Sequence, residues 1–145
     1  MYITYREKGR FLDMTTKLIA IPSVLPGGMN SKRSGHFGMC DVFTLISIQD
    51  GQVAGVQIVE NTETGDLQCQ APVEMLLTKG VDTLIVNNLG QKPFSLLKAA
   101  GVEVLLGRGL TVKAVVDNYL AGRLEPLTEE YVCEGQEHPY GYCQA

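Results

Sequence analysis

Residues 31–40 read SKRSGHFGMC, which puts two cations (Lys32 and Arg33), then His36 flanked by Gly35 and Gly38, then Cys40, within ten positions. Lysine and arginine attract anions and donate hydrogen bonds to them, arginine through a fixed planar fork. Imidazole suits molybdenum, iron and copper alike, so His36 does not select a metal. The two glycines let backbone come close to a bulky ligand. Together these groups suit an anionic, metal-containing ligand better than they suit bond cleavage. Each also has a plainer reading. His36 could bond a backbone carbonyl, Lys32 and Arg33 could form a solvated loop tip, and Cys40 could be a small buried hydrophobe.

The pattern around this decapeptide indicates what must position it. Residues 17–22 (KLIAIP) form an apolar run stopped by proline, read as a buried strand, and a long loop, 23–35, follows. Residues 42–49 (VFTLISIQ) and 52–60 (QVAGVQIVE) are two strands around the hairpin signal Asp50-Gly51. After a polar loop, 61–71, Pro72 opens a helix with Val73, Leu76 and Leu77 on one face, and Gly80 closes it. Residues 82–86 form a fourth strand, and Pro93 opens a second helix with Phe94, Leu97 and Ala100 inward and Gly101 at its end. Residues 102–106 form a fifth strand. Thr111 caps a third helix, in which Val112, Val115, Val116, Tyr119 and Leu120 recur at helical spacing.

This order, β-β-β-α-β-α-β-α, predicts an α/β fold with a mixed five-stranded sheet and helices on both faces. The first, fourth and fifth strands should be parallel and the second antiparallel, a ribonuclease H-like three-layer α/β/α architecture. Open α/β sheets gather ligands beyond the carboxyl ends of their parallel strands. Here those ends release the loop 23–35, the turn Asn87-Asn88-Leu89-Gly90, and Gly107-Arg108-Gly109. Asn88, Gly90 and Arg108 thus join the candidate rim, although Arg108 also reads as an ordinary surface charge.

At 145 residues, with 45% hydrophobic and 19% charged, the chain has the size and balance of one globular domain. The expected division is an N-terminal extension (1–16), a binding domain (17–124) and a tail (125–145). A net charge of −4 argues against a broad nucleic-acid or anionic-membrane surface, so an anion site must be local. No apolar run approaches the roughly 20 residues that cross a bilayer. The first 16 residues lack the apolar core and cleavage site of a secretory signal. A cytoplasmic location follows as the expectation, with Cys40, Cys69, Cys133 and Cys143 as reduced thiols. In the tail, Cys133, His138 and Cys143 could bind zinc, copper or an iron–sulfur unit, or lend a thiolate to the rim. Their spacing matches no usual zinc pattern, and a flexible tail is the alternative.

Enzyme readings find less support. A two-metal nuclease needs carboxylates that KLIAIP lacks. A Cys40–His36 hydrolase lacks a residue to orient the histidine, and Gly27-Gly28 lacks the helix and Lys-Ser/Thr of a phosphate loop.

The ordered set IAIPS, GHFGMC and PVEMLLTKGVDTLIVNNLGQKPFSLLKAAGVEVLLG resembles the nitrogenase iron–molybdenum cofactor biosynthesis family, with its NifX-like carriers and the C-terminal part of NifB-type proteins. The likeness runs over about residues 17–124. It implies the ribonuclease H-like fold and non-enzymatic binding, storage or transfer of a metal–sulfur cluster or its precursor. The cluster would be an Fe–Mo, Fe–S or Mo–Cu sulfide, exchanged with a donor or recipient protein. Neither nucleic acid nor membrane is implied, and the chain would be a monomer or weak homodimer. The family's ligand histidine falls on His36, and Phe37 and Gly38 complete the motif. This chain departs from its relatives at Cys40, where many have a small residue, and at Asn87-Asn88, where two glycines are common. The rival expectations are a metal-free regulatory or interaction module on the same fold, and a redox switch using Cys133 and Cys143.

Overall fold

In a computed structural model, which describes residues 16–61, 70–128 and 132–133, the apolar run before the loop forms strand β1 (Thr16–Ser23). Ile19, Ala20 and Ile21 are completely buried, because both faces of this strand are covered. That explains a continuous apolar run in place of alternation. Strand β2 (Val42–Gln49) pairs antiparallel with β1 and turns back through Asp50 and Gly51, both with positive φ, into β3 (Gln52–Glu60). Helix α1 (Gln70–Thr78) then leads to β4 (Thr83–Val86), which lies parallel to β1 on its other side.

A two-residue strand, β5 (Leu89–Gly90), precedes α2 (Gln91–Ala99), which leads to β6 (Glu103–Leu106) parallel to β4. Helix α3 (Val112–Leu120) starts at Thr111, whose side chain accepts the Ala114 amide at 3.1 Å as the sequence predicts. Strand β7 (Glu125–Pro126) follows, and β8 (Val132–Cys133) pairs parallel with β5.

The main sheet is mixed and open, in the order β3-β2-β1-β4-β6-β7. It has six strands, not the five expected. The extra strand is β7, a two-residue segment that ends in proline and pairs antiparallel with β6. So short a strand carries no periodic signal, and proline is tolerated in it because the strand lies at the edge. Leu127, buried just beyond it, fixes the segment, and its amide bonds the Val104 carbonyl at 2.9 Å. The sheet therefore continues past residue 124, into what the sequence pattern reads as tail.

Helices lie on both faces. Val73 and Leu76 of α1 and Phe94 and Leu97 of α2 pack over Ala20, Phe43, Leu45 and Leu84. Val112, Val115 and Val116 of α3 cover Ile19, Ile21, Ile46 and Ile85 opposite. The loops after β1, β4 and β6 consequently leave the sheet at one end. Among the described residues no helix is long and apolar enough to cross a membrane.

Leu127→Ala is expected to lower stability by about 2–4 kcal/mol in urea unfolding, the usual cost of emptying a leucine site in a core. Leu110→Ala, at a side chain 81% exposed, should stay within about 0.5 kcal/mol. Equal effects would show that β7 is not part of the folding unit.

Candidate functional site

The long loop after β1 is held along its length by hydrogen bonds. The Ser34 amide bonds the Pro22 carbonyl at 2.7 Å and the Val24 amide bonds the Lys32 carbonyl at 3.0 Å, closing the loop on itself. Ser23 and Thr44 share a buried hydroxyl hydrogen bond at 2.8 Å beneath it, and the Gly28 amide donates to the same Thr44 oxygen. The far side of the loop rests on α3. The Val112 and Lys113 amides donate to the carbonyls of Ser31 and Met29, each at 2.9 Å. With the Ala114 amide taken by Thr111, the first turn of this helix is committed to protein acceptors, so the positive end of α3 is not offered to a ligand.

Arg33 ties the three strand-end loops together. Its amide bonds the Leu110 carbonyl at 3.0 Å. In its side chain, Nε donates to the Gly109 carbonyl, Nη1 to Asn87 Oδ1, and Nη2 to the Gly107 carbonyl at 3.5 Å. Gly107 makes room for this, since a Cβ there would stand 3.2 Å from Nη1. Burial pulls the Arg33 pKa below the usual arginine value. Every one of these partners is neutral, so among the described residues the charge is held in place without being cancelled.

The HFG motif divides by depth. His36 and Gly35 are exposed, while Phe37 and Gly38 are buried. Phe37 packs against Phe43 with ring centroids 5.5 Å apart and so anchors the loop to β2. From behind, Asn61 Nδ2 donates to the carbonyls of Gly38 and Cys40, each at 3.1 Å. Nothing in the sequence singles out Asn61, which reads there as the first residue of a polar loop. Its role depends on partners more than twenty positions away.

Cys40 lies in the core under the loop, 2% exposed, with its Sγ 3.7 Å from Asn61 Nδ2. Burial pushes its thiol up to about 12, against the opposing effect of the Asn61 hydrogen bond. This is the setting of a small buried hydrophobe and not of a ligand facing the rim.

Lys32 and Arg108 are exposed on the loops that Arg33 connects. The Arg108 carbonyl accepts Asn118 Nδ2 at 2.8 Å, which fixes its backbone to α3. Asn88 is half-buried, and its Oδ1 is enclosed without a partner among the described residues. Gly90 is the N-cap of α2 and brings no side-chain cap to it. The backbone of Cys133 pairs with Gly90, so the tail touches the same turn. His138 and Cys143 lie outside the described residues. The structure thus brings Arg33, Asn87, Gly107 and Gly109 together, sets Gly35 against Asn87, and leaves Lys32, His36 and Arg108 exposed on the loops so joined. It sets Phe37, Gly38 and Cys40 behind those loops.

Fold and site together define an α/β domain with a basic, histidine-bearing rim at the carboxyl ends of its parallel strands. The chain belongs to the dinitrogenase iron-molybdenum cofactor family, whose model matches residues 17–122. It is 29% identical over 98 residues to an uncharacterised protein of Methanocaldococcus jannaschii, covering 66% of this chain and 83% of that one. It is 37% identical to a Thermotoga protein named for NifB and solved by NMR, over 77% of this chain and 94% of that one, with a TM-score of 0.64. The apo form of the orange protein of Desulfovibrio gigas shares the fold, at 23% identity and a TM-score of 0.67 over 77% of this chain and 93% of that one.

Two expectations follow from the buried end of the motif. Because the Cys40 thiol titrates higher folded than unfolded, it favours folding below the ordinary value of 9.0, and that contribution is lost as pH rises toward 12. Cys40→Ala should flatten the decline of the urea midpoint over that interval; an unchanged slope would contradict the burial. Asn61→Ala should cost about 1–3 kcal/mol by leaving two loop carbonyls short of a partner, read by thermal unfolding.

Proposed function

We propose that this chain is a non-enzymatic carrier, which holds an anionic metal–sulfur cluster or its precursor as cargo and passes it to a recipient protein in the cytoplasm. The observation that carries this reading is the rim itself, where the uncancelled charge of Arg33 sits on the same loop as an exposed imidazole. Among the described residues no group of three or more His, Cys, Asp or Glu side chains could hold a bare metal ion. A preformed cluster brings its own sulfides and needs few protein ligands, so charge, hydrogen bonds and one imidazole suit it better than a lone ion.

On this reading His36 coordinates the cluster or hydrogen-bonds to it, and Lys32, Arg33 and Arg108 attract it. Gly35 leaves room for its approach, and Asn88 and Gly90 lie on the facing turn. Membership of the iron-molybdenum cofactor family supports an Fe–Mo cargo, with Fe–S and Mo–Cu sulfides as chemical neighbours. Transfer finds support in the apolar side chains near the rim. Leu25, Met39 and Leu110 are exposed on its loops, where a partner could dock briefly.

The test is metal analysis with absorption spectra on protein purified without oxygen, wild type beside His36→Ala, followed by titration with tetrathiomolybdate. Visible charge-transfer bands in the wild type, with affinity reduced about tenfold or more in the variant, are expected. A colourless protein that also refuses clusters offered in vitro would sink the carrier reading in favour of a metal-free interaction module.

A further inference from the structure

We infer that Asn87 is a hydrogen-bond donor to the cargo, an amide N–H that Arg33 orients toward the space beside His36. This rests on the cluster-carrier reading and adds a residue to its site.

Asn87 is exposed at the carboxyl end of β4. Arginine has only donors, so the amide must present its oxygen to Nη1, and the ambiguity between the two ends of an asparagine side chain is removed. Nδ2 therefore points the other way. It lies 3.3 Å from where a Cβ on Gly35 would stand, against the residue that precedes His36. Among the described residues Nδ2 meets no acceptor. A donor of fixed orientation, exposed and without an acceptor among the described residues, thus sits between a held positive charge and Gly35, the residue that precedes the candidate ligand.

The chemistry of the pair favours an anion with several acceptor atoms. Accepting a charge-assisted hydrogen bond draws electron density toward Oδ1 and makes the amide N–H a stronger donor. An aspartate in the same position would hold Arg33 equally well, but it would cancel the charge and turn an acceptor toward the anion. Asparagine holds the guanidinium and leaves the rim positive. The ligand class that fits is a thiometallate or oxothiometallate, whose terminal sulfur and oxygen atoms accept hydrogen bonds from several directions.

The experiment titrates tetrathiomolybdate into wild type, Asn87→Asp and Asn87→Leu, reading visible absorbance and thermal unfolding. Asn87→Asp keeps the tie to Arg33, so its melting temperature should not fall, while its affinity drops about tenfold or more. Asn87→Leu has no N–H and leaves the Arg33 charge uncancelled, and it too should lose affinity. Wild-type affinity in Asn87→Leu would overturn the inference, because charge alone would then account for binding. If Asn87→Leu is unstable, NMR of the wild type decides. The Asn87 side-chain amide resonances, identified by their loss in Asn87→Asp, should shift on titration, and their failure to move while the protein binds would overturn the donor role. No uptake by the wild type would remove the carrier reading and this inference together.

Discussion

A guanidinium needs acceptors for its N–H groups, and that need binds the working end of this molecule together. Arg33 leaves the loop after β1 and finds oxygen at the ends of two other parallel strands, Asn87 after β4 and Gly107 and Gly109 after β6. The segments it joins are 54 to 76 positions away in sequence. Backbone hydrogen bonds from Arg33, Val112 and Lys113 already join the loop after β1 to the segment after β6, and the Arg33 side chain adds the turn after β4. The same side chain leaves a positive charge where the three loops meet. Arginine suits this role better than lysine, because its planar fork reaches several carbonyls at once.

The source of the positive field follows from the same geometry. In many α/β folds an anion is received by helix N-terminal amides. Here the first turn of α3 is occupied by the carbonyls of Met29 and Ser31 and by the side chain of Thr111. The positive charge on these loops is carried by the side chains of Lys32, Arg33 and Arg108, on a chain whose net charge is −4. A small basic area on an acidic protein favours a compact anion over an extended polyanion.

What could be read in the sequence was local. The buried strand before the loop, the Asp50-Gly51 hairpin, the Thr111 cap and the helical spacing of Val112, Val115 and Val116 each depend on neighbours within a turn or two. All of them appear in the fold. Strand β7 was not legible, because two residues ending in proline have no period. The rim was legible in composition but not in depth. SKRSGHFGMC names the groups, yet only the packing shows Phe37 and Cys40 turned into the core. Asn61 gave no signal, since an asparagine in a turn is ordinary and its partners here lie far along the chain. Asn87 was legible as part of a rim turn but not as the partner of Arg33, which lies 54 positions away.

The hydrogen bonding of the loop after β1 bears on how fast and how tightly a guest can be held. Residues 24–34 are fixed by Pro22, Thr44, Leu110 and the first turn of α3. Their backbone freedom is thus given up when the chain folds, not when a ligand arrives. Ordering a comparable free segment costs about 1–2 kcal/mol per residue. A receptor spared that cost can hold a guest through few contacts, and its entrance need not await a slow rearrangement. On the carrier reading proposed above, release would then fall to competition by a recipient's own ligands, because the loop is already hydrogen-bonded in the form described.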